Sequence, residues 1–275
     1  MRFMGHRLTV TAGIGVLIVT LNILVALLAP LLSPYGQAEI VADAWLDPTP
    51  LHWLGTDNLG RDMLSRLVYG ARTSIGLALV ITILAFCIGV VTGFTAAVMG
   101  RWVDTVLSRL VDLLLSMPTL IFAFIILSVL GTSIPVLILT IAILDATKVF
   151  RLARSVALNI VNLEFVEAAK VRGEGLWWVI TREILPNAMP PLVAEFGLRF
   201  CFAFLFIAAL SFLGLGIQPP GADWGSMVKD LRDMINFGSA LPLYPAAAIA
   251  ILTIGVNFVV DWMLAIHSKS HGEGA

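Results

Sequence analysis

Six apolar stretches, each long enough to cross a bilayer, constrain this chain more than any other feature. A backbone surrounded by lipid has no water to bond, so such stretches must satisfy their own amides as helices, at about 20 residues per crossing. They run over about 9–32, 73–99, 103–130, 134–157, 192–217 and 241–266. With 59% hydrophobic and 13% charged residues in 275, the predicted fold class is all-α: a polytopic integral membrane protein with about six transmembrane helices. The lipid bilayer is therefore its first partner. A net charge of −1 offers no basic surface for nucleic acid. Cys87 and Cys201 each sit inside an apolar run and give no disulfide framework. His6, His52, His267 and His271 have no metal-ligand spacing, so no metal site is expected. Pro118, inside the third run, should kink it.

Arg2, His6 and Arg7 precede the first run, which is longer than the core of a secretory signal and lacks a small-x-small cleavage site. It reads as an uncleaved span with a cytoplasmic amino terminus, and six spans place both termini there. Cytoplasmic segments would be 1–8, about 100–103, about 158–191 and 267–275. With the adjoining helix ends they carry most of the arginine and lysine. The outer segments, about 33–72 and 218–240, hold Arg61, Arg66, Arg72, Lys229 and Arg232 among many aspartates.

The longest polar interruption on the cytoplasmic side is 158–191. Asn162 is a candidate helix cap, and Glu164 and Glu167 suit the positive end of a helix dipole. Ala168, Ala169 and Val171 continue the helix, and Gly173 and Gly175 end it. Leu176 to Ile180 reads as an interfacial segment with two tryptophans, and Pro186, Pro190 and Pro191 should break the chain before the fifth span. A short helix with a small-residue face, projected into water, suits close approach by a partner. On the other side, Asp57 and Asn58 favour a turn, Gly60 permits a left-handed backbone, and Asp62 can cap a helix from Met63.

Glu167-Ala168-Ala169-x3-Gly173 followed by Ile184-Leu185-Pro186-Asn187 resembles the EAA loop of permease subunits of bacterial binding-protein-dependent ABC importers. Gly55-Thr56-Asp57-Asn58-Leu59-Gly60-Arg61-Asp62, and Ser211 to Pro220 with Asp223-Trp224-Gly225, resemble the dipeptide, oligopeptide and nickel branch, specifically its C-type subunit. One departure is Glu183, where the loop consensus favours an apolar residue. The resemblance implies a type I importer permease fold, with residues 1–72 as an N-terminal span and periplasmic segment and 73–275 as the core permease domain. It implies a docking loop, at Glu167 to Gly173 and Ile184 to Asn187, for a cytoplasmic ATPase. It also implies a second homologous permease subunit, two ABC ATPase subunits that bind ATP and Mg, and a periplasmic substrate-binding protein. This chain has no Gly-Lys-Ser/Thr phosphate loop, so it should carry no cofactor and hydrolyse no ATP itself. Cargo within the branch ranges from peptides to glutathione, opines and nickel chelates.

The motif at Gly55, Thr56, Asp57, Gly60, Arg61 and Asp62 is either a structural turn or a contact for the binding protein or gate. Arg109 and Asp112 could pair locally with Asp104 and Arg101, and Glu195 with Arg199 at i, i+4. Asp145 and Lys148 either form a buried pair or line the translocation path. An ion-coupled carrier would show more mid-membrane acids and related halves. An intramembrane enzyme would show a catalytic motif, and none is present.

Overall fold

The computed structural model describes the backbone of residues 2–3, 6–7 and 9–272, and the side chains of 9–266. The expectation for the two termini rests on residues 1–8 and 267–275, whose side chains lie outside the described residues. A short antiparallel pair, β1 (Arg2–Phe3) and β2 (His6–Arg7), precedes the helices. Helix α1 (Val10–Leu27) opens on Thr9, whose hydroxyl accepts from Ala12 N, and α2 (Ala29–Leu32) follows at once. Then come α3 (Met63–Met99), α4 (Arg101–Leu115), α5 (Thr119–Leu130), α6 (Ile134–Val161) and α7 (Glu164–Val171). Helix α8 (Leu176–Trp178) passes through a π-helical turn (Val179–Ile184) into α9 (Leu185–Phe212). Helix α10 (Trp224–Leu231), a 3₁₀ turn (Arg232–Phe237) and α11 (Leu243–Gly272) complete the fold.

Among the described residues four helical stretches are long and apolar enough to span: α1, α3, the continuous stretch 176–212, and α11. The third apolar run bends more sharply than a single proline kink. It divides into α4 and α5, bent by 86° where Pro118 stands between them, and counts as a fifth span only if the bent pair crosses together. The fourth run becomes α6, whose 28 residues suffice in length but include Asp145, Lys148, Arg151 and Arg154. The second span begins ten residues earlier than its apolar run, because Asp62 caps α3 by accepting from Ser65 N at 2.8 Å.

Small residues set the packing, as expected where lipid supplies no hydrophobic drive between helices. Helix α3 lies along α6, α1 along α11, and α9 against both α3 and α11. A Cβ at Gly89 would fall 2.6 Å from Val149 Cβ, and one at Gly15 would fall 2.7 Å from the Gly255 carbonyl. These glycines let the backbones touch. Prolines 186, 190 and 191 do not break the chain. Pro186 stands directly after the π turn, and Pro190 and Pro191 lie inside α9, so the helical winding runs on through all three. Helix α3 spans about 55 Å and so separates two polar ends. One holds residues 33–62 and α10; the other holds α7.

Candidate functional site

Three places carry the polar chemistry: a knot at the start of α3, a short helix at its far end, and a charge cluster between α6 and α9.

At the knot, Gly55 and Gly60 take φ of +74° and +75°. A side chain on either would collide with the Leu46 or Ala42 carbonyl. Thr56 Oγ1 donates to Asp43 O at 2.6 Å and accepts from Leu46 N at 2.8 Å. Asp57 Oδ1 accepts from Leu59 N and Arg61 N, while its Oδ2 takes Arg61 Nε at 2.7 Å and Arg66 Nε at 3.2 Å. Asp62 adds His52 Nδ1 at 3.0 Å to its capping bonds with Ser65. All of Gly55, Thr56, Asp57, Gly60, Arg61 and Asp62 are buried, and only Asn58 and Leu59 of the stretch face outward.

The other outer segment docks on the same end. Ala222 N donates to Gln37 Oε1, Trp224 N to Ser74 Oγ, and Trp224 Nε1 to Leu67 O. Asp223 caps α10 by accepting from Gly225 N and Ser226 N. Burial pushes its carboxyl above the usual range, against the hydrogen bonds from Ser226 and Gly225 that favour the charge. A raised folded pKa means the residue's contribution to stability is full below about pH 4 and is lost as pH rises through the folded value. Asp223→Asn keeps a capping oxygen without the charge. It is expected to flatten the pH dependence of thermal unfolding and to leave the midpoint at pH 7 no lower than wild type. A lower midpoint with an unaltered pH profile counts against this reading.

At the far end, α7 sits on α6 and on the π turn. Asn162 closes α6 rather than opening α7: its side chain donates back to Leu158 O, and Leu163 occupies the N-cap without a side-chain bond. Gly173, at φ +84°, ends α7 in a Schellman turn, with Glu174 N bonded to Ala169 O and Gly173 N to Lys170 O. The two faces of α7 differ. Val166 and Ala169 are fully buried in a cluster with Phe94 of α3, Ala153 and Ala157 of α6, and Ile184 and Ala188. Glu167, Ala168, Val171 and Gly173 are exposed, as are Pro186 and Asn187, while Leu185 is half-buried. Of the expected loop residues, Ala169 and Ile184 are thus buried and the others are exposed or half-buried. Trp177 is exposed, whereas Trp178 lies under the Arg172 guanidinium at 5.7 Å. Arg172 also approaches Glu174 at 3.8 Å and Glu183, the acid at the expected apolar position, at 4.0 Å.

Between the helices, Asp145 is buried and paired twice, with Lys148 at 3.6 Å and with Arg199 of α9 at 3.3 Å. Glu195 holds the other side of Arg199 at 2.7 Å. The i, i+3 and i, i+4 pairs were legible; the bridge from α6 to α9 was missed, though opposite charges on two otherwise apolar runs were its signal. Asp104 and Asp112 do not pair locally. They bind Arg154 and Arg151 and tie α4 to α6. Among the described residues no group of acids, cysteines and histidines could hold a metal ion.

These features are those of a transport permease, and residues 85–271 match the family of binding-protein-dependent transport system inner membrane components. The chain belongs to that family and is a multi-pass membrane protein. It is 37% identical over 251 residues to the dipeptide transport system permease protein DppC of Alkalihalophilus pseudofirmus, covering 91% of this chain and 83% of that one. To the probable D,D-dipeptide transport system permease protein DdpC of Escherichia coli it is 36% identical, covering 94% and 86%. The glutathione transport system permease protein GsiD of Pectobacterium atrosepticum is 30% identical, at 94% and 86%. The fold is shared with a chain in the crystal structure of an amino acid ABC transporter with histidines, at a TM-score of 0.51 and 19% identity, over 72% of this chain and 92% of that one.

Proposed function

We propose that this chain forms half of the translocation pore of an ATP-driven ABC importer in a bacterial inner membrane, taking up short peptides handed over by a periplasmic binding protein. A second homologous permease subunit supplies the other half. Two ABC ATPase subunits bind ATP and Mg and hydrolyse it, and this chain carries no cofactor. Three relatives named for dipeptide, D,D-dipeptide and glutathione transport support the peptide class.

The two-faced helix α7 is the observation that carries the reading. Its inner face is locked into the ends of α3 and α6, while Glu167, Ala168 and Val171 stand free for an ATPase groove. Movement of α7 would be passed to α3, α6 and, through the π turn, to α9. In this arrangement the loop 158–191 and both termini face the cytoplasm, and 33–62 with 218–240 face the periplasm. The basic excess around that loop supports this orientation. The buried motif Gly55 to Asp62 then holds the periplasmic segment in shape, leaving Asn58 and Leu59 for any contact with the binding protein. Asp145 and Lys148 line the path.

Cross-linking tests the reading. A cysteine at Ala168, in a background with Cys87 and Cys201 replaced by serine, is expected to form a disulfide with a cysteine in the groove of the co-purified ATPase. Ala169 is unsuited, being fully buried. Failure to cross-link from every exposed position between Glu167 and Gly173 overturns the assignment.

A further inference from the structure

The cavity beside Asp145 has the chemistry of a substrate site. It measures about 350 Å³ and is walled by Pro118 and Leu120 at the start of α5, by Leu144, Asp145 and Lys148 of α6, and by Phe202 and Phe206 of α9. That size falls within the roughly 300–1,000 Å³ usual for small-molecule sites.

The two oxygens of Asp145 are not equivalent. Oδ1 receives both Arg199 and Lys148. Oδ2 is buried and has no hydrogen-bond partner. The side chain as a whole has a relative exposure of 7%. A carboxylate oxygen held out of water without a donor is costly, and a donor that enters recovers that cost.

The cations of the cluster also differ. Arg199 is fixed between Asp145 and Glu195, with its guanidinium 4.7 Å from the Phe202 ring centroid. Lys148 is the loose member, at 3.6 Å from Asp145 and 36% exposed at its side chain. Arg199 alone can keep Asp145 paired, so Lys148 is free to meet something else.

The four charges sum to zero. A lone cation entering would leave net charge in the membrane interior, where charge is most expensive; a zwitterion would not. We propose that this cavity is the transit site for the amino end of a zwitterionic substrate. Its ammonium group donates to Asp145 Oδ2, a neighbouring carbonyl or carboxylate oxygen accepts from Lys148 Nζ, and its side chain lies against Phe202 and Phe206. The proposal rests on the peptide reading above and deepens it to a requirement for a free amino terminus.

The test measures binding by the purified transporter complex in nanodiscs, without the binding protein, so that only the membrane site is read. The probes are Ala-Phe and N-acetyl-Ala-Phe, followed by saturation-transfer NMR. Wild type is expected to bind Ala-Phe and to bind the acetylated peptide about tenfold more weakly, the scale of one lost charge-assisted hydrogen bond. Asp145→Asn should abolish that discrimination, and Lys148→Met should weaken Ala-Phe binding by a similar factor. Lys148→Met keeps the Asp145–Arg199 bridge, so it carries the test even if Asp145→Asn does not fold. Equal binding of both peptides by wild type, no binding of either, or a folded Lys148→Met protein that binds as wild type overturns the proposal. Co-purification of the ATPase subunits is scored separately: their presence without discrimination sinks this site and leaves the importer reading standing, and their absence sinks the importer reading.

Discussion

Asp57→Ala is expected to cost about 3–5 kcal/mol, the range for removing one partner of a buried ion pair, and to lower the thermal midpoint of the purified protein by roughly 10 °C. The reason is that Asp57 serves two guanidiniums at once. Arg61 and Arg66 both converge on its Oδ2, and both are as buried as the aspartate, at 5%, 3% and 3% exposure. Removing the carboxylate strands two cations and also orphans the Leu59 and Arg61 amides that its Oδ1 accepts. Arg66 has one further anchor, the Gln37 carbonyl at 3.1 Å, which does not neutralise it. Asp57→Asn keeps an acceptor for the two amides but not the charge, so its loss should fall between wild type and alanine. An unchanged midpoint for Asp57→Ala would show that water reaches the knot and that the pairs are screened.

Much of that knot was legible because its rules are local. A glycine in a left-handed turn and an aspartate before a helix depend on neighbours in sequence, and Gly60 and Asp62 do what their types require. Arg66 was not legible as a partner of Asp57, since it sits in α3 and reaches back over the turn. The same division holds elsewhere. Six apolar runs indicated the helical class, but apolarity says nothing of direction, so the right-angled break at α4 and α5 read as a kink. Pro190 and Pro191 read as breakers because proline lacks the helical N–H, yet α9 continues through both. Asp145 was paired with Lys148 by spacing, while its stronger tie to Arg199 needed the packing of α6 on α9. At Glu164–Val171 the sequence indicated a short helix, but only the packing divides it into Glu167 and Ala168 facing out and Ala169 facing in.

That division makes the last prediction sharp, because adjacent alanines should behave oppositely. Ala169→Glu is expected to lower uptake by about a hundredfold or more, since a carboxylate forced among apolar side chains costs several kcal/mol unless the segment moves. Ala169 has no exposure and belongs to the cluster of Phe94, Ala153, Ala157 and Ile184. The cheapest escape is for α7, only 8 residues long, to lift away from the ends of α3 and α6. The spanning helices α1, α3, α9 and α11 also bury a separate core away from α7, so the protein should still insert and accumulate near wild-type amounts. Ala168→Glu adds the same charge one residue earlier on the exposed face. It should leave the thermal midpoint unchanged, and any fall in uptake then reports on the proposed ATPase contact rather than on the seat of α7. Radiolabelled peptide uptake, membrane abundance and ATPase co-purification separate these outcomes. Wild-type uptake by Ala169→Glu would mean that the seat of α7 on the bundle transmits nothing. Loss of both uptake and protein would place Ala169 in the folding of the bundle instead of in its coupling.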